Sequence, residues 1–210
     1  MIHFHRSLCA GLAGLGYFFI LAAAGHASEG ASRVNVIRVP GDAKVAKAQL
    51  GADSTIHLLV DAEDGPRYVK STDAGVTFSA PMTIVDAASQ KPGLKFHSED
   101  LAVGKDGRVH VAMANNAWKL KLPEAEWGFY YANLPPGEIR TPGTSGMRMS
   151  LVTLSAADGA TLIAWKNKHV LGWQLYDRKG QSQGAPGSAS SKGNGAAGVA
   201  LPTGNFILFP

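Results

Sequence analysis

The sequence predicts an all-β chain, a β-propeller built from four-stranded blades, and three observations carry that reading. Four stretches align as an apolar strand, a tight turn and a second apolar strand: "AQLGADSTIHLLV", "LAVGKDGRVHVAM", "VTLSAADGATLIAW" and "GVALPTGNFILF". Their turns fall at Asp53-Ser54, Asp106-Gly107, Asp158-Gly159 and Thr203-Gly204, which are 53, 52 and 45 residues apart. Apolar residues alternate with period two inside each stretch, and no amphipathic helical stripe fills the gaps. A spacing of about 45–50 residues per four-stranded unit is that of a propeller blade.

The chain opens on a targeting segment. "MIHFHR" gives a short basic region with Arg6, "SLCAGLAGLGYFFILAAA" is an apolar run without charge, and "GHAS" sets Gly25 and Ala27 before a cut at Ser28. Residues 1–27 therefore read as a signal peptide and the protein as secreted or periplasmic. An uncleaved segment of this length would anchor it in a membrane instead, and nothing else in the chain asks for stable membrane insertion. The one cysteine, Cys9, lies in this segment, so the mature chain relies on its core and not on disulfides.

The propeller spans residues 33–210. "SRVNVIRVP" comes first as a lone strand. In the first unit the turn at Asp53-Ser54 joins two strands; "PRYVKST" and "VTFSAP" then form a second hairpin around Asp73–Gly75. The tight turns read as type I′, in which both central residues need positive φ. The third unit repeats this frame. Its "LGWQLYD" and "QSQGAP" flank "RKG", and both units place 22 residues between the first turn aspartate and the second turn glycine. Both also place 6 residues from that glycine to a proline, Pro81 or Pro186. The second unit carries an insertion before "WGFYYANLPPG". The Gly/Ser-rich "GQSQGAPGSASSKGNGAAG" has linker composition, but the frame makes it the last strand and loop of the third unit. The fourth unit reaches only "FILFP", which leaves about three and a half blades. The open edge at Phe206–Phe209 invites self-association.

Charge narrows the function classes. The formal net charge is +4 and the basic residues are scattered, with no basic tract interleaved with aromatics, so nucleic acid is not an expected partner. No phosphate-binding glycine loop and no His/Cys/Asp cluster with ligand spacing occurs, so neither a cofactor nor a metal is expected. His57 and His110 each lie four residues after their turn aspartate. No carboxylate shares the spacing, and packing between blades accounts for them better than a metal does.

"KSTDAGVTFSAP" concentrates the motif chemistry. Asp73 is placed to accept amides of its own turn, Gly75 to adopt a left-handed conformation, Ser71 and Thr77 to close the turn with hydroxyls, and Phe78 to pack beside it. The run is a clasp. It resembles the Asp box, or BNR repeat, S-x-D-x-G-x-T-W/F, of the sialidase (neuraminidase) superfamily. "EDLAVGKDGRVHVA" and "GWQLYD" extend the likeness to secreted bacterial exo-α-sialidase-like proteins over most of Val34–Pro210.

The resemblance implies a propeller of about six blades, an Asp box away from the active site, and a carbohydrate or glycoconjugate partner. It implies an arginine cluster for the substrate carboxylate, a Tyr–Glu nucleophile and an aspartate as general acid/base. "IRVP" is similar to the family's arginine motif, so Arg38 is the candidate first arginine, though it also reads as an ordinary strand residue. Asp61 and Asp64 are the candidates for the acid. No Tyr–Glu pair can be assigned, and Tyr130 and Tyr131 read as packing.

The loops between hairpins and between blades point to the ligand face. They are 61–66, 86–99, 115–127, 140–148 and 166–169, with Glu63, His97, Trp118, Arg140, Arg148 and His169 as candidates. The same residue types also make up solvated loops. Two functions follow. One is part of an exported exo-α-sialidase-type protein acting on sialic-acid-like sugars, inactive as this short chain. The other is a non-catalytic propeller that binds glycans or proteins.

Overall fold

Alternation of apolar and polar residues resolves into thirteen strands among the described residues of a computed structural model of the chain. It describes residues 34, 36–39, 43–85, 91–134, 151–157, 159–167, 169–193 and 196–209. The chain divides into two units, Met1–Val36 and Ile37–Pro210, and every strand belongs to the second. The apolar N-terminal segment, with Cys9 and the expected cut after Ala27, lies outside the described residues.

The first sheet is a four-stranded antiparallel meander, β1 (Lys44–Leu50), β2 (Ile56–Ala62), β3 (Gly65–Ser71) and β4 (Met82–Thr83). The second has three described strands, β5 (Phe96–Val103), β6 (Val109–Asn115) and β7 (Phe129–Leu134). The third is again a four-stranded meander, β8 (Leu151–Ala157), β9 (Ala160–Asn167), β10 (Val170–Asp177) and β11 (Ser182–Ser190). The fourth pairs β12 (Ala197–Ala200) with β13 (Phe206–Phe209). The architecture is all-β, in small antiparallel sheets, with one short 3-10 turn at Glu124–Glu126 and no α-helix among the described residues.

The sheets stack face to face because both faces of the middle sheet are apolar. Val109, Val111 and Met113 of β6 join Ala132 and Leu134 of β7 against Leu59 and Tyr68 of the first sheet. The alternate residues Ala112, Phe129 and Tyr131 pack against Leu154, Ile163, Trp165 and Tyr176 of the third sheet. Phe129 and Trp165 meet with ring centres 5.1 Å apart. The two-residue period is what lets one strand serve two cores.

The first strands of successive sheets are neighbours: β1 lies against β5, β5 against β8, and β8 against β12. They do not pair through their backbones, so side chains satisfy the exposed edges. Gln49 accepts from the Val103 amide through Oε1 at 3.0 Å. Asp61 Oδ1 accepts from the Ser98 amide at 2.9 Å, and Asp100 Oδ2 from the Leu154 amide at 2.8 Å. Each bond crosses from one sheet to the next.

Three details correct the sequence reading. The hairpin turns at Asp53, Asp106 and Thr203 are not type I′. Each is a three-residue loop in which only the last residue has positive φ: Ser54 (64°), Gly107 (75°) and Gly204 (85°). The amides of Gly51, Gly104 and Leu201 bond to the carbonyls of Thr55, Arg108 and Asn205, which closes a type I turn with a left-handed bulge. The fourth strand of the first sheet is Met82–Thr83, not "VTFSAP", because the Thr77 amide is drawn to Asp73 and is lost to a ladder. Residues 36–39 form no strand.

Candidate functional site

The β2–β3 turn, the chain entering β5 and the long β6–β7 connection lie at one end of the first two sheets. The loops there are shorter than the sequence suggests. Asp61 is in β2 and pairs with Pro66, which leaves Glu63 and Asp64 as the turn. His97 lies in β5 and Asn115 in β6. In the third sheet Lys166 belongs to β9. Hairpin pairing runs nearly to the last residue, so strands absorb positions that composition assigns to loops.

Asp61 is half-buried, and Ser98 gives its Oδ1 an amide bond at 2.9 Å and a hydroxyl bond at 2.7 Å. Beside Ser98, His97 Nε2 stands 3.0 Å from Glu99 Oε1, with both side chains partly exposed. A bulge between Ser98 and Asp100 sets Glu99 outside the regular ladder. Asp100 lies 3.4 Å from Lys47 Nζ of β1. The Asp61–Ser98 and Lys47–Asp100 contacts thus tie β1 and β2 to β5, and the His97–Glu99 pair lies on the same strand between them. Exposed Glu63 and Asp64 stand at the rim, where Arg67 Nη2 donates to Asp64 Oδ2 at 2.5 Å. That bond holds the Asp64 carboxyl below its ordinary value.

The long β6–β7 connection lies beside the chain that enters β5. Asn116 Oδ1 accepts from the Lys95 amide at 2.8 Å, and its Nδ2 donates to the Gly93 carbonyl at 3.1 Å. Lys91 pairs with Glu126 at 2.5 Å. The loop is thereby fastened to the chain before β5, and it presents Trp118 and Leu120, each 38% exposed, alternating with Lys119 and Lys121. The Lys119 ammonium lies 5.4 Å from the centre of the Trp118 ring. An exposed indole beside cations and carboxylates can stack a sugar ring and hydrogen-bond its substituents.

Arg38 is not brought to these groups. Its neighbour Ile37 lies against Gly75, at the opposite end of the first sheet from Asp61 and Asp64. His169 is exposed at the β9–β10 turn. Arg140 and Arg148 lie outside the described residues. Among the described residues no group of three metal-ligating side chains occurs.

The Asp-box turn is a closed network. Asp73 Oδ1 accepts from the Ser71 hydroxyl at 2.8 Å and the Thr77 amide at 2.9 Å, and Oδ2 accepts from the Thr77 hydroxyl at 2.6 Å. The Gly75 amide donates to Ser71 Oγ at 2.8 Å, with Gly75 at φ 88°. These bonds, those of Thr77 first, hold the Asp73 carboxyl down at about 2. Phe78 packs on Leu58, Val60 and Val69. In the third sheet Asp177 does similar work from an earlier position in the turn, accepting from the amides of Lys179 and Gln181 at 2.8 and 2.7 Å.

Sequence reasoning missed Glu99, Asp100 and Lys47. The run of polar residues inside an otherwise apolar strand, "HSED", marked the two carboxylates, and nothing marked Lys47. It also missed buried Lys166, which takes the place in its unit that Asp61 has in the first. Lys166 Nζ donates to the Ser191 carbonyl at 3.2 Å and to the Ser191 hydroxyl. No protein-family model matches the chain, and no curated protein matches it.

Proposed function

We propose that the chain is an exported sialidase-like β-propeller whose loop end, around Asp61, His97, Glu99 and Trp118, binds sialic-acid-like glycans. The observation that carries this reading is the Ser71–Asp73–Gly75–Thr77 network on the third-to-fourth-strand turn of a four-stranded meander. Face-to-face sheets with adjoining first strands support the radial arrangement. The mixture of carboxylates, cations and an exposed indole suits a hydroxylated acidic sugar.

Binding without hydrolysis is the mode these residues favour. Arg38 follows Ile37, which lies against Gly75 at the far end of the first sheet, and Arg67 is engaged by Asp64. The tyrosines of the two cores are committed to packing: Tyr131 stacks on Tyr176 at 4.4 Å and bonds to His110, while Tyr68 bonds to His57. Exo-α-sialidase action, the second reading, needs a free Tyr–Glu nucleophile, whereas Tyr130, the tyrosine beside Glu126, donates to the Glu126 backbone carbonyl at 3.3 Å and Lys91 holds the Glu126 carboxylate.

The test is binding of sialyllactose by the purified secreted chain, with hydrolysis of a fluorogenic sialoside measured in parallel. Saturable binding that Trp118→Ala weakens, without turnover, is expected. Turnover by a monomer would sink the non-catalytic reading, and failure of every sialylated or neutral glycan to bind would sink the glycan reading itself.

A further inference from the structure

The other end of the first two sheets, beside their tight turns, holds a cleft of about 360 Å³. Its floor is His57 and Tyr68, with the Tyr68 hydroxyl 2.7 Å from His57 Nδ1. Asp53 and Lys70 also line it, together with Val109 and Leu134 of the second sheet.

The neighbouring interface explains why this space is open. His110 and Tyr131 of the second sheet repeat the pair, again 2.7 Å apart. There the third sheet seals them. Thr161 Oγ1 lies 3.1 Å from the His110 ring nitrogens, and Tyr176 stacks on Tyr131. Thr161 and Tyr176 are paired across β9 and β10; Val109 and Leu134 are the corresponding pair across β6 and β7. Val109 brings no hydroxyl to His57, and Leu134 brings no ring to Tyr68. A valine of the same shape but without the hydroxyl in place of the threonine, and a smaller leucine in place of the tyrosine, leave a cavity over a polar floor.

The polar groups are of both kinds. Asp53 accepts, already holding the Thr55 amide at 3.0 Å and hydroxyl at 2.9 Å, and each oxygen keeps a further lone pair. Exposed Lys70 donates. His57 Nδ1 and the Tyr68 hydroxyl share one hydrogen bond, and His57 Nε2 lies beside Gly51. A methyl group at Gly51 would come within 2.8 Å of that nitrogen and 2.9 Å of Asp53 Oδ1, so only glycine fits beside them. The volume lies at the lower end of the range for small-molecule sites, about 300–1,000 Å³. A cleft lined by a carboxylate, an ammonium and apolar side chains disfavours a pure anion and suits adjacent hydroxyls, which donate to one and accept from the other.

We propose that this cleft is a second ligand site, separate from the loop end, for a neutral polyhydroxylated molecule the size of a monosaccharide. The proposal does not depend on the glycan reading above. The experiment titrates the full chain with D-glucose, myo-inositol, acetate and inorganic phosphate, following the His57 ring and Leu134 methyl signals by NMR. At least one polyol should shift both sets saturably. Lys70→Ala should weaken that binding about tenfold, the loss of one charge-assisted hydrogen bond. Leu134→Tyr, which copies the sealed interface, should abolish it while the protein stays folded; Lys70→Ala decides alone if that variant does not fold. Signals that no polyol moves, signals that move only with acetate or phosphate, or unchanged polyol binding by Lys70→Ala or by folded Leu134→Tyr would each overturn the proposal.

Discussion

His57 and His110 stand at the same position of two successive sheets, and each has its Nδ1 2.7 Å from a tyrosine hydroxyl on the next strand, Tyr68 or Tyr131. The pairs differ in what covers them. The third sheet buries His110 under Thr161, whereas His57 borders an open cleft. Burial pushes the His110 pKa down from 6.5 to about 4, and it lowers His57 in the same direction.

That shift sets an acid limit. A histidine whose folded pKa is depressed is held neutral by the fold, so its contribution is full above 6.5 and is lost as pH falls toward 4. Denaturant melts should show stability falling through this window by on the order of 3 kcal/mol. His110→Gln, which keeps a side-chain amide toward Tyr131, should flatten the slope. An equally steep slope in that variant would assign the titration elsewhere.

Asp73 acts at lower pH. Its folded pKa lies below the ordinary 3.8, at about 2, so its stabilisation is present above 3.8 and disappears as pH falls to about 2. Asp73→Asn should lower the melting temperature at pH 7 and leave it unchanged at pH 2. Equal losses at both pH values would mean that the carboxylate charge contributes nothing to the turn.

Asp61 joins two sheets through Ser98. Asp61→Ala leaves the Ser98 amide and hydroxyl without that partner, which should cost about 1–3 kcal/mol in chemical denaturation. Glu63→Ala, a substitution at the exposed turn beside it, should fall within about 0.5 kcal/mol of the parent. Similar values for the two would remove Asp61 from the inter-sheet tie.

Met113 is fully buried between the first and second sheets. Met113→Ala should cost about 2–5 kcal/mol, the range for deleting a large core side chain. A loss under about 1 kcal/mol would show that the two sheets do not share this core.

Arg38→Ala should leave glycan binding at the loop end unchanged, since Ile37 fixes that segment beside Gly75. A clear loss of sialyllactose affinity, measured by calorimetry, would place Arg38 at the site after all.

The sequence by itself determined which residues pair locally. Asp106-Gly107 and Thr203-Gly204 between alternating apolar runs are hairpins, and "STDAGVT" closes on its own aspartate, because contacts over two to five residues depend on φ preference and nearby side chains. Alternation marked Val109–Met113 as a strand but could not say that both its faces are buried, since that depends on the sheets beside it. Only the tertiary structure decided the rest. It put Ile37 beside Gly75 at the far end from Asp61, set Glu99 on a bulge beside His97, and drew Lys166 inside against Ser191. It also opened a cleft over His57 where the equivalent pair is sealed. Each of these depends on residues more than ten positions apart in the chain, or on which side chain the next sheet brings across the gap, and a two-residue period carries no information about either.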